Sequence, residues 1–205
     1  GTMQVIVIGG PAGTGKTTMG TALATYLHCP YIEGDNLHPQ ENIDKMSQGI
    51  ALTDEDRWGW LENLSKKATL TALDKSNESG VAVVSCLMLK KVYREYISAK
   101  SLEVDPQNQV TIRFVFLYTT LEELVKRVTS RQGHYMKSDM VVSQYKIMEI
   151  PSGSELVSQG GQCWAVDTTN RSPEELVRQV NSYFASQEEK DGYQAAPPGV
   201  KVGQA

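Results

Sequence analysis

The chain has 205 residues, of which 40% are hydrophobic and 21% charged, and its formal net charge is −4. These proportions are typical of one globular domain, and the negative charge argues against broad binding to nucleic acid or to an acidic membrane surface. No apolar run approaches the roughly 20 residues that cross a bilayer. We therefore expect a cytoplasmic protein that binds neither nucleic acid nor a membrane.

The two ends and the cysteines support further expectations. Gly1 and Thr2 stand ahead of Met3 and are interpreted as a cloning scar. Residues 3–186 are expected to form a single domain, whereas the polar, aperiodic residues 187–205 are predicted to be disordered. The three cysteines fit no metal-ligand spacing and are expected to be reduced, mostly buried thiols. They are Cys29, Cys86 and Cys163.

Short β-branched runs alternate with amphipathic stretches along the chain. In chain order, strands are predicted at 3–9, 31–33, 81–85, 110–118 and 163–166. Helices are predicted at 16–28, 38–48, 54–75, 90–98, 121–131 and 138–148, and a last helix opens at Ser172-Pro173 with an N-cap followed by proline. This alternation predicts βαβ units, and hence a three-layer α/β/α fold around a five-stranded parallel sheet.

A glycine-rich segment directly follows the first predicted strand. Residues 10–17 read GPAGTGKT and match the phosphate-binding P-loop pattern G-x-x-x-x-G-K-[ST] in full. A chance glycine-rich turn is the alternative, but the motif also has the required strand–helix context. The pattern predicts ATP binding, with Lys16 at the β- and γ-phosphates and Thr17 as a ligand of Mg²⁺. The predicted nucleotide-binding residues are Gly10, Ala12, Gly13, Thr14, Gly15, Lys16, Thr17 and Thr18.

A carboxylate follows the second predicted strand. In open α/β sheets ligands bind at the carboxyl ends of the strands, so Asp35 is placed to face a substrate hydroxyl beside the γ-phosphate. In a kinase such a residue orients the nucleophile and takes its proton. The alternative role for Asp35 is to cap the next helix.

Three cations are candidates for binding an anionic acceptor: Arg57, Lys90 and Arg94. Arginine suits bidentate recognition of a carboxylate. The alternative for Arg57 is a surface ion pair with Asp54 or Glu55, and for the other two it is a solvated helix face.

Three stretches resemble the signatures of the gluconokinases. The first comprises Gly34-Asp35, Leu37-His38-Pro39, Asn42, Lys45-Met46, Gly49, Leu52, Asp54, Asp56-Arg57 and Trp60-Leu61. The second comprises Cys86, Leu89-Lys90-Lys91 and Tyr93-Arg94, and the third Arg127, Arg131, Gly133-His134, Lys137, Met140, Ser143-Gln144, Glu149 and Pro151. With the P-loop, the resemblance covers residues 5–183.

The resemblance implies a nucleoside-monophosphate-kinase-like fold, often as a homodimer. It also implies transfer of the γ-phosphoryl of ATP to the 6-hydroxyl of D-gluconate, giving 6-phosphogluconate for the pentose phosphate pathway. Kinases for shikimate, a nucleotide or another sugar acid remain alternatives, as does a nucleotide-binding module without catalysis. The chain departs from the pattern at Ala51 and Leu87, and residues 105–108 look like a surface insertion before the fourth strand.

A cationic stretch with a central glycine runs from Arg127 to Lys137. By the resemblance it belongs to a mobile lid at about 127–148, which closes over ATP and brings Arg131 to the transferring phosphoryl group. A helix C-terminus rich in positive charge is the alternative. The resemblance assigns Arg127 to the nucleotide, and His38, His134 and Gln144 to the acceptor. Asn170, after the fifth strand, is placed to border the adenine, unless its turn only caps the last helix.

Overall fold

The computed structural model of the protein describes residues 2–130 and 138–186. The central part of the predicted lid, with Arg131, Gly133, His134 and Lys137, lies outside the described residues, as does the predicted disordered tail at 187–205. No helix within the described ranges is long and apolar enough to cross a membrane.

One parallel sheet forms the centre of the fold. Its strands are β1 (Met3–Gly9), β2 (Tyr31–Glu33), β3 (Val81–Cys86), β4 (Val110–Tyr118) and β5 (Cys163–Asp167). They are arranged in the order β2-β3-β1-β4-β5, and every neighbouring pair is parallel. The predicted five-stranded parallel sheet is therefore confirmed, and all its strands present their carboxyl ends at the same edge.

Helices and short 3₁₀ turns connect the strands. The helices are α1 (Lys16–Leu27), α2 (Gln40–Ser47), α3 (Asp54–Leu73), α4 (Lys91–Val104), α5 (Leu121–Thr129), α6 (Ser138–Ile147) and α7 (Pro173–Tyr183). The 3₁₀ turns are Gly34–Leu37, Gly153–Glu155 and Val157–Gln159.

The side chains of β1 alternate between two apolar layers. Val5 and Val7 pack in the layer that includes α3 and α4, whereas Ile6 and Ile8 pack in the layer that includes α1 and α7. All four side chains are at most 1% exposed. A strand that is apolar on both faces needs cover on both sides of the sheet, which accounts for the three layers.

Most element boundaries lie within two residues of the sequence prediction, and two of the differences have a clear structural cause. Helix α2 begins at Gln40 rather than 38, because Pro39 holds an extended N-cap conformation and restricts the residue before it. Helix α4 continues to Val104 rather than 98. Its later turns pack on α3, where Ser65 donates to the Ile97 carbonyl and the hydroxyls of Thr69 and Ser101 share a hydrogen bond.

The stretch predicted to be a surface insertion has one buried member. Asp105 is 3% exposed, and its carboxylate accepts hydrogen bonds from the backbone N–H groups of Gln109 and Val110. The remaining residues of the stretch, 106–108, are exposed as expected. Asp105 therefore anchors the loop at the start of β4.

Candidate active site

The P-loop connects the end of β1 to the start of α1. Gly10, Gly13 and Gly15 have φ values of 132°, 86° and 84°, a region that residues with a Cβ rarely adopt. A Cβ on Gly10 would also lie 2.1 Å from the carbonyl oxygen of Leu117. The loop therefore needs these glycines to turn tightly at the carboxyl end of the sheet.

Lys16 is the first residue of α1, and its ammonium group donates to the carbonyl oxygen of Pro11 at 3.1 Å. Part of the side chain is exposed, but surrounding protein atoms desolvate the ammonium end and lower the pKa of Lys16 to about 8. The negative charges of Asp35 and Glu33 oppose this shift. Lys16 thus interacts electrostatically with the carboxylate predicted to serve the acceptor.

Asp35 lies in the 3₁₀ turn that follows β2. Gly34 permits the close approach of this turn to β3, since a Cβ there would lie 2.0 Å from the carbonyl oxygen of Ser85. Asp35 as a residue is exposed, but surrounding protein atoms partly desolvate its carboxylate, and this effect, followed by the charge of Glu33, raises the pKa of Asp35, while Lys16 lowers it. The N-cap of α2 is Pro39, with no side-chain hydrogen bond, so Asp35 does not have the helix-capping role considered as its alternative.

Glu33, the last residue of β2, reaches the start of α1. One of its carboxylate oxygens accepts hydrogen bonds from the Thr17 and Tyr31 hydroxyls, both at 2.9 Å. The other accepts from the Ser85 hydroxyl at 2.9 Å. Thr17 and Glu33 therefore bring two oxygen groups together beside the P-loop, and oxygen is the ligand type that Mg²⁺ prefers. These two residues fit a magnesium site.

Arg57 and Lys90 meet at one cluster around Tyr93. The Arg57 guanidinium donates to the Tyr93 hydroxyl at 2.9 Å, and the Lys90 ammonium contacts both carboxylate oxygens of Asp54, at 3.1 and 3.0 Å. Tyr93 in turn donates to Asp54, and its hydrogen bond is the main reason that the pKa of Asp54 is lowered. Two cations thus surround one carboxylate, which leaves these three groups with a net positive charge near pH 7.

Arg94 does not join this cluster. Its side chain is 2% exposed and forms two hydrogen bonds with the carboxylate of Glu155, at 3.0 and 3.1 Å. It also donates to the Met88 carbonyl, and its guanidinium lies 5.5 Å from the centre of the Phe116 ring. Of the three residues predicted to form a cationic patch, only Arg57 and Lys90 lie together. The prediction is wrong for Arg94, because its side chain is buried and paired with Glu155.

Arg127 and Asn170 both line an open cleft of about 590 Å³ beside the P-loop. The Arg127 guanidinium donates to the carbonyl oxygens of Gly13 and Thr168, at 3.2 and 3.3 Å, and pairs with Glu123 at 3.1 Å. It therefore links the P-loop to the turn after β5. Thr14, Gly15 and Thr18, from the P-loop and α1, line the same cleft, as expected for a nucleotide pocket.

Helix α6 contacts the P-loop through Gln144. The side-chain oxygen of Gln144 accepts a hydrogen bond from the backbone N–H of Ala12 at 3.1 Å. The sequence interpretation assigns Gln144 to the acceptor, and the structure places it against the phosphate-binding loop. On the acceptor side, His38 stacks on Trp60, with ring centres 4.2 Å apart and planes inclined by 16°.

Comparison with known proteins shows which family the chain resembles. The model of the AAA domain family matches residues 6–149, a range that includes the P-loop and the acceptor side. A probable gluconokinase of Schizosaccharomyces pombe is 50% identical over 151 residues, which are 74% of this chain and 75% of that protein. The chain belongs to the gluconokinase family.

Further gluconokinases agree in sequence and in fold. The thermosensitive gluconokinase of Escherichia coli is 40% identical over 152 residues, covering 74% of this chain and 75% of that protein. The crystal structure of a gluconokinase from Sinorhizobium meliloti superimposes with a TM-score of 0.71 at 36% identity, covering 95% and 98% of the two chains. The family and the sheet together identify a P-loop kinase fold and an ATP-dependent kinase.

Sequence reasoning assigned no site role to three residues of this gluconokinase-family chain, although it offered Asp54 as an ion-pair partner of Arg57, and that pair lies at 3.6 Å in the structure. Glu33, Asp54 and Tyr93 form the hydrogen bonds that hold Thr17, Arg57 and Lys90 in place. Glu33 carries a recognisable signal, since it is a carboxylate at a strand end, two residues before Asp35. Asp54 and Tyr93 lie on different helices, so only the tertiary structure shows their contact with each other and that of Asp54 with Lys90.

Proposed function

We propose that the protein is an ATP- and Mg²⁺-dependent gluconokinase, which transfers the γ-phosphoryl group of ATP to the 6-hydroxyl of D-gluconate. The products are 6-phospho-D-gluconate, which feeds the pentose phosphate pathway, and ADP. The observation that carries the proposal is that the P-loop, after β1, and Asp35, after β2, lie at the same carboxyl edge of the parallel sheet. The names of the relatives support gluconate as the acceptor.

The nucleotide side is built on the P-loop. Backbone N–H groups of residues 13–18 and the Lys16 ammonium would bind the phosphates, and the cleft lined by Arg127 and Asn170 would hold the nucleoside. Thr17 and Glu33 would hold Mg²⁺, which when bound neutralises charge on the phosphate oxygens. Arg127 acts on this side mainly by holding the P-loop against the turn at Thr168.

The acceptor side combines a base with a cationic cluster. Asp35 would accept a hydrogen bond from the reacting hydroxyl and take its proton as the phosphoryl group is transferred. Arg57 and Lys90 would bind the carboxylate of gluconate at the far end of the substrate. A net positive cluster favours an acceptor that carries a negative charge, whereas a neutral sugar such as glucose gains nothing from it.

The lid completes the proposal. Arg131 would stabilise negative charge on the transferring group, and His134 would contact the acceptor. Gln144 would contact the acceptor or the γ-phosphate from its position beside Ala12. We also propose a homodimer, which analytical ultracentrifugation tests, and a cytoplasmic location, which the free thiols of Cys29, Cys86 and Cys163 support.

The deciding experiment measures ADP release with ATP and Mg²⁺ against D-gluconate, shikimate, AMP and glucose. We expect turnover with D-gluconate and a product phosphorylated at the 6-hydroxyl, as identified by NMR. Replacing Arg57 by Met should raise the KM for D-gluconate and leave the KM for ATP unchanged. Turnover of another acceptor in preference to D-gluconate would contradict the substrate assignment. ATP binding without turnover of any acceptor would contradict the proposal that the protein is a kinase.

A further inference from the structure

His38 and Asn42 form a hydrogen bond whose direction can be deduced. The side-chain nitrogen Nδ2 of Asn42 lies 2.8 Å from the backbone carbonyl oxygen of Asp56 and 3.1 Å from Nδ1 of His38. A carbonyl oxygen can only accept, so the atom of Asn42 that faces it must be the NH₂ nitrogen. The second hydrogen of the same NH₂ group then points to His38.

This geometry determines which nitrogen of His38 carries the proton. Because Nδ1 accepts from Asn42, it cannot itself be protonated, and the neutral ring must carry its hydrogen on Nε2. Asn42 is 2% exposed, so neither of its two hydrogen bonds is easily exchanged for water. The buried amide therefore selects one tautomer of His38.

The plane of the His38 ring is fixed by other contacts. One face stacks on Trp60, whose indole N–H donates to the carbonyl oxygen of Gly34 at 2.8 Å, directly before Asp35. The backbone of His38 is extended, as expected for a residue that precedes Pro39. The stack, the amide and the proline together hold the ring in one orientation next to the turn that carries Asp35.

Nε2 of His38 has no hydrogen-bond partner within residues 2–130 and 138–186, and it is not among the buried unpaired atoms there. Desolvation and the nearby charge of Arg57 lower the pKa of His38 to about 4, so the ring is neutral near pH 7. An oriented, neutral N–H group that faces away from its buried partner is suited to a ligand oxygen.

We propose that Asn42 is a positioning residue that holds His38 in its Nε2–H tautomer, so that His38 donates a hydrogen bond to a hydroxyl or carboxylate oxygen of the acceptor. This inference rests on the proposed function for the identity of the acceptor. It assigns His38 a donor role and excludes a role as a second general base, because Nδ1 is occupied and Nε2 already holds a proton. Its contribution is to select an acceptor with an oxygen at this point.

The tautomer is tested by long-range ¹H–¹⁵N NMR of the uniformly labelled protein. The chain has three histidines, so His38→Gln identifies the His38 signals by their loss. We expect the pattern of a ring protonated at Nε2 alone, and we expect it to persist at about pH 6, where an ordinary histidine is largely charged. A ring protonated at Nδ1, or a charged ring at neutral pH, would overturn the inference.

Asn42→Asp is the variant designed to reverse the hydrogen bond. A carboxylate can only accept, so His38 must place a proton on Nδ1, and its pKa should rise. We expect the NMR pattern to change to protonation at Nδ1 and the KM for D-gluconate to become dependent on pH near neutrality. An unchanged spectrum in a variant with wild-type circular dichroism would show that Asn42 does not select the tautomer.

His38→Gln and His38→Met test the donor role without altering Asn42. Glutamine can offer an N–H at about the position of Nε2, whereas methionine has similar length and no donor. Since one hydrogen bond to substrate is worth about 1.5 kcal/mol, methionine should raise the KM for D-gluconate about tenfold, and glutamine less than about threefold. The KM for ATP should not change in either variant.

Equal KM values for the two variants would overturn the donor role. If the wild-type protein does not phosphorylate D-gluconate, the proposed function fails and the acceptor contact fails with it. The spectrum would still decide the tautomer in that case, because it is recorded without substrate. The two failures are therefore distinguishable.

Discussion

Thr17 donates its hydroxyl hydrogen to Glu33 across 2.9 Å, which joins the start of α1 to the end of β2. Helix α1 follows β1, and β1 is not a neighbour of β2 in the sheet, because β3 lies between them. Ser85, near the end of β3, bridges the gap by donating to the other oxygen of Glu33. The carboxylate is therefore held by three elements, and its position beside the P-loop follows from the strand order.

Glu33→Gln should weaken the use of Mg²⁺ while preserving the local packing. The amide keeps an oxygen for Thr17 but loses the charge that favours a divalent cation. We expect the Mg²⁺ concentration for half-maximal rate to rise at least 10- to 100-fold, because even the loss of an outer-shell partner of a metal ligand costs about that much affinity. Tyr31→Phe is the matched control, since it removes one hydrogen bond to the same carboxylate and leaves the charge. Identical Mg²⁺ titrations for Glu33→Gln and the wild type would exclude Glu33 from the magnesium site.

The sequence predicts the elements that are determined locally. The five strands are apolar enough to be recognised in isolation, and the P-loop motif carries its own strand–helix context, so both predictions agree with the structure. The sequence prediction ends the fourth helix at 98, whereas α4 continues to Val104. Its last turns pack on α3 through Ser101, a polar residue whose burial no local sequence pattern indicates.

Site residues that depend on distant partners could not be assigned in this way. Arg94 and Glu155 are 61 positions apart, and only the folded chain shows that they pair. Asp54 offers a similar case, because its partners Lys90 and Tyr93 lie in the second of the three signature stretches, after β3. Sequence identifies which cations are available, whereas tertiary contacts decide which of them remain open to a ligand.

Raising the pH should weaken ATP binding through Lys16. The pKa of Lys16 is lowered to about 8 in the free protein, so the ammonium group is charged below that pH and loses its proton above it. ATP favours the charged form and should raise this pKa when it binds. We therefore expect a constant Kd below pH 8 and a Kd about tenfold higher one unit above the pKa.

Isothermal titration calorimetry with a non-hydrolysable ATP analogue measures this effect directly. Binding near pH 8.5 should take up a fraction of a proton, which is seen as a dependence of the heat on the ionisation enthalpy of the buffer. Lys16→Arg is the control, because arginine keeps its charge in this range. Absence of proton uptake in the wild type would contradict the lowered pKa.

Asp35→Asn should greatly slow turnover with little effect on ATP binding. The amide keeps the size of the side chain but cannot take the proton of the acceptor hydroxyl, so we expect a fall in kcat of about 10²- to 10⁴-fold. Asp35→Ala should behave in the same way. The neighbouring Asn36→Ala, in the same 3₁₀ turn, is the control for local disturbance. Near-normal kcat in both Asp35 variants would exclude Asp35 as the base.

The acid limb of the pH profile gives a second test of Asp35. Because desolvation and Glu33 raise its pKa, protonation removes the base at a higher pH than for an ordinary aspartate. We expect kcat/KM for the acceptor to fall as the pH decreases through this raised pKa. Glu33→Gln removes one of the two causes of the raised pKa of Asp35, so it should shift the acid limb of the kcat/KM profile to lower pH. An acid limb at the same pH in the variant and the wild type would show that Glu33 does not influence the pKa of Asp35.

Replacing Arg94 should destabilise the protein without changing its affinity for D-gluconate. Arg94→Met leaves Glu155 without its partner, and removing one member of a buried pair costs about 3–5 kcal/mol of the free energy of unfolding. Urea denaturation measures this loss. Adding Glu155→Gln to Arg94→Met should recover part of it, since no uncompensated charge then remains. The KM for D-gluconate should stay close to the wild-type value at a temperature where the variant is folded.

Arg57→Met is expected to have the opposite effects to Arg94→Met on stability and on the KM for D-gluconate. Arg57 is partly exposed at the cluster with Tyr93 and Asp54, so its replacement should raise the KM for D-gluconate about tenfold at little cost in stability. A stable Arg94→Met variant with a raised KM for D-gluconate would show that Arg94 takes part in binding the acceptor. That result would require the ion pair between Arg94 and Glu155 to separate when D-gluconate binds, because the Arg94 side chain is only 2% exposed and does not reach the surface while the pair is formed.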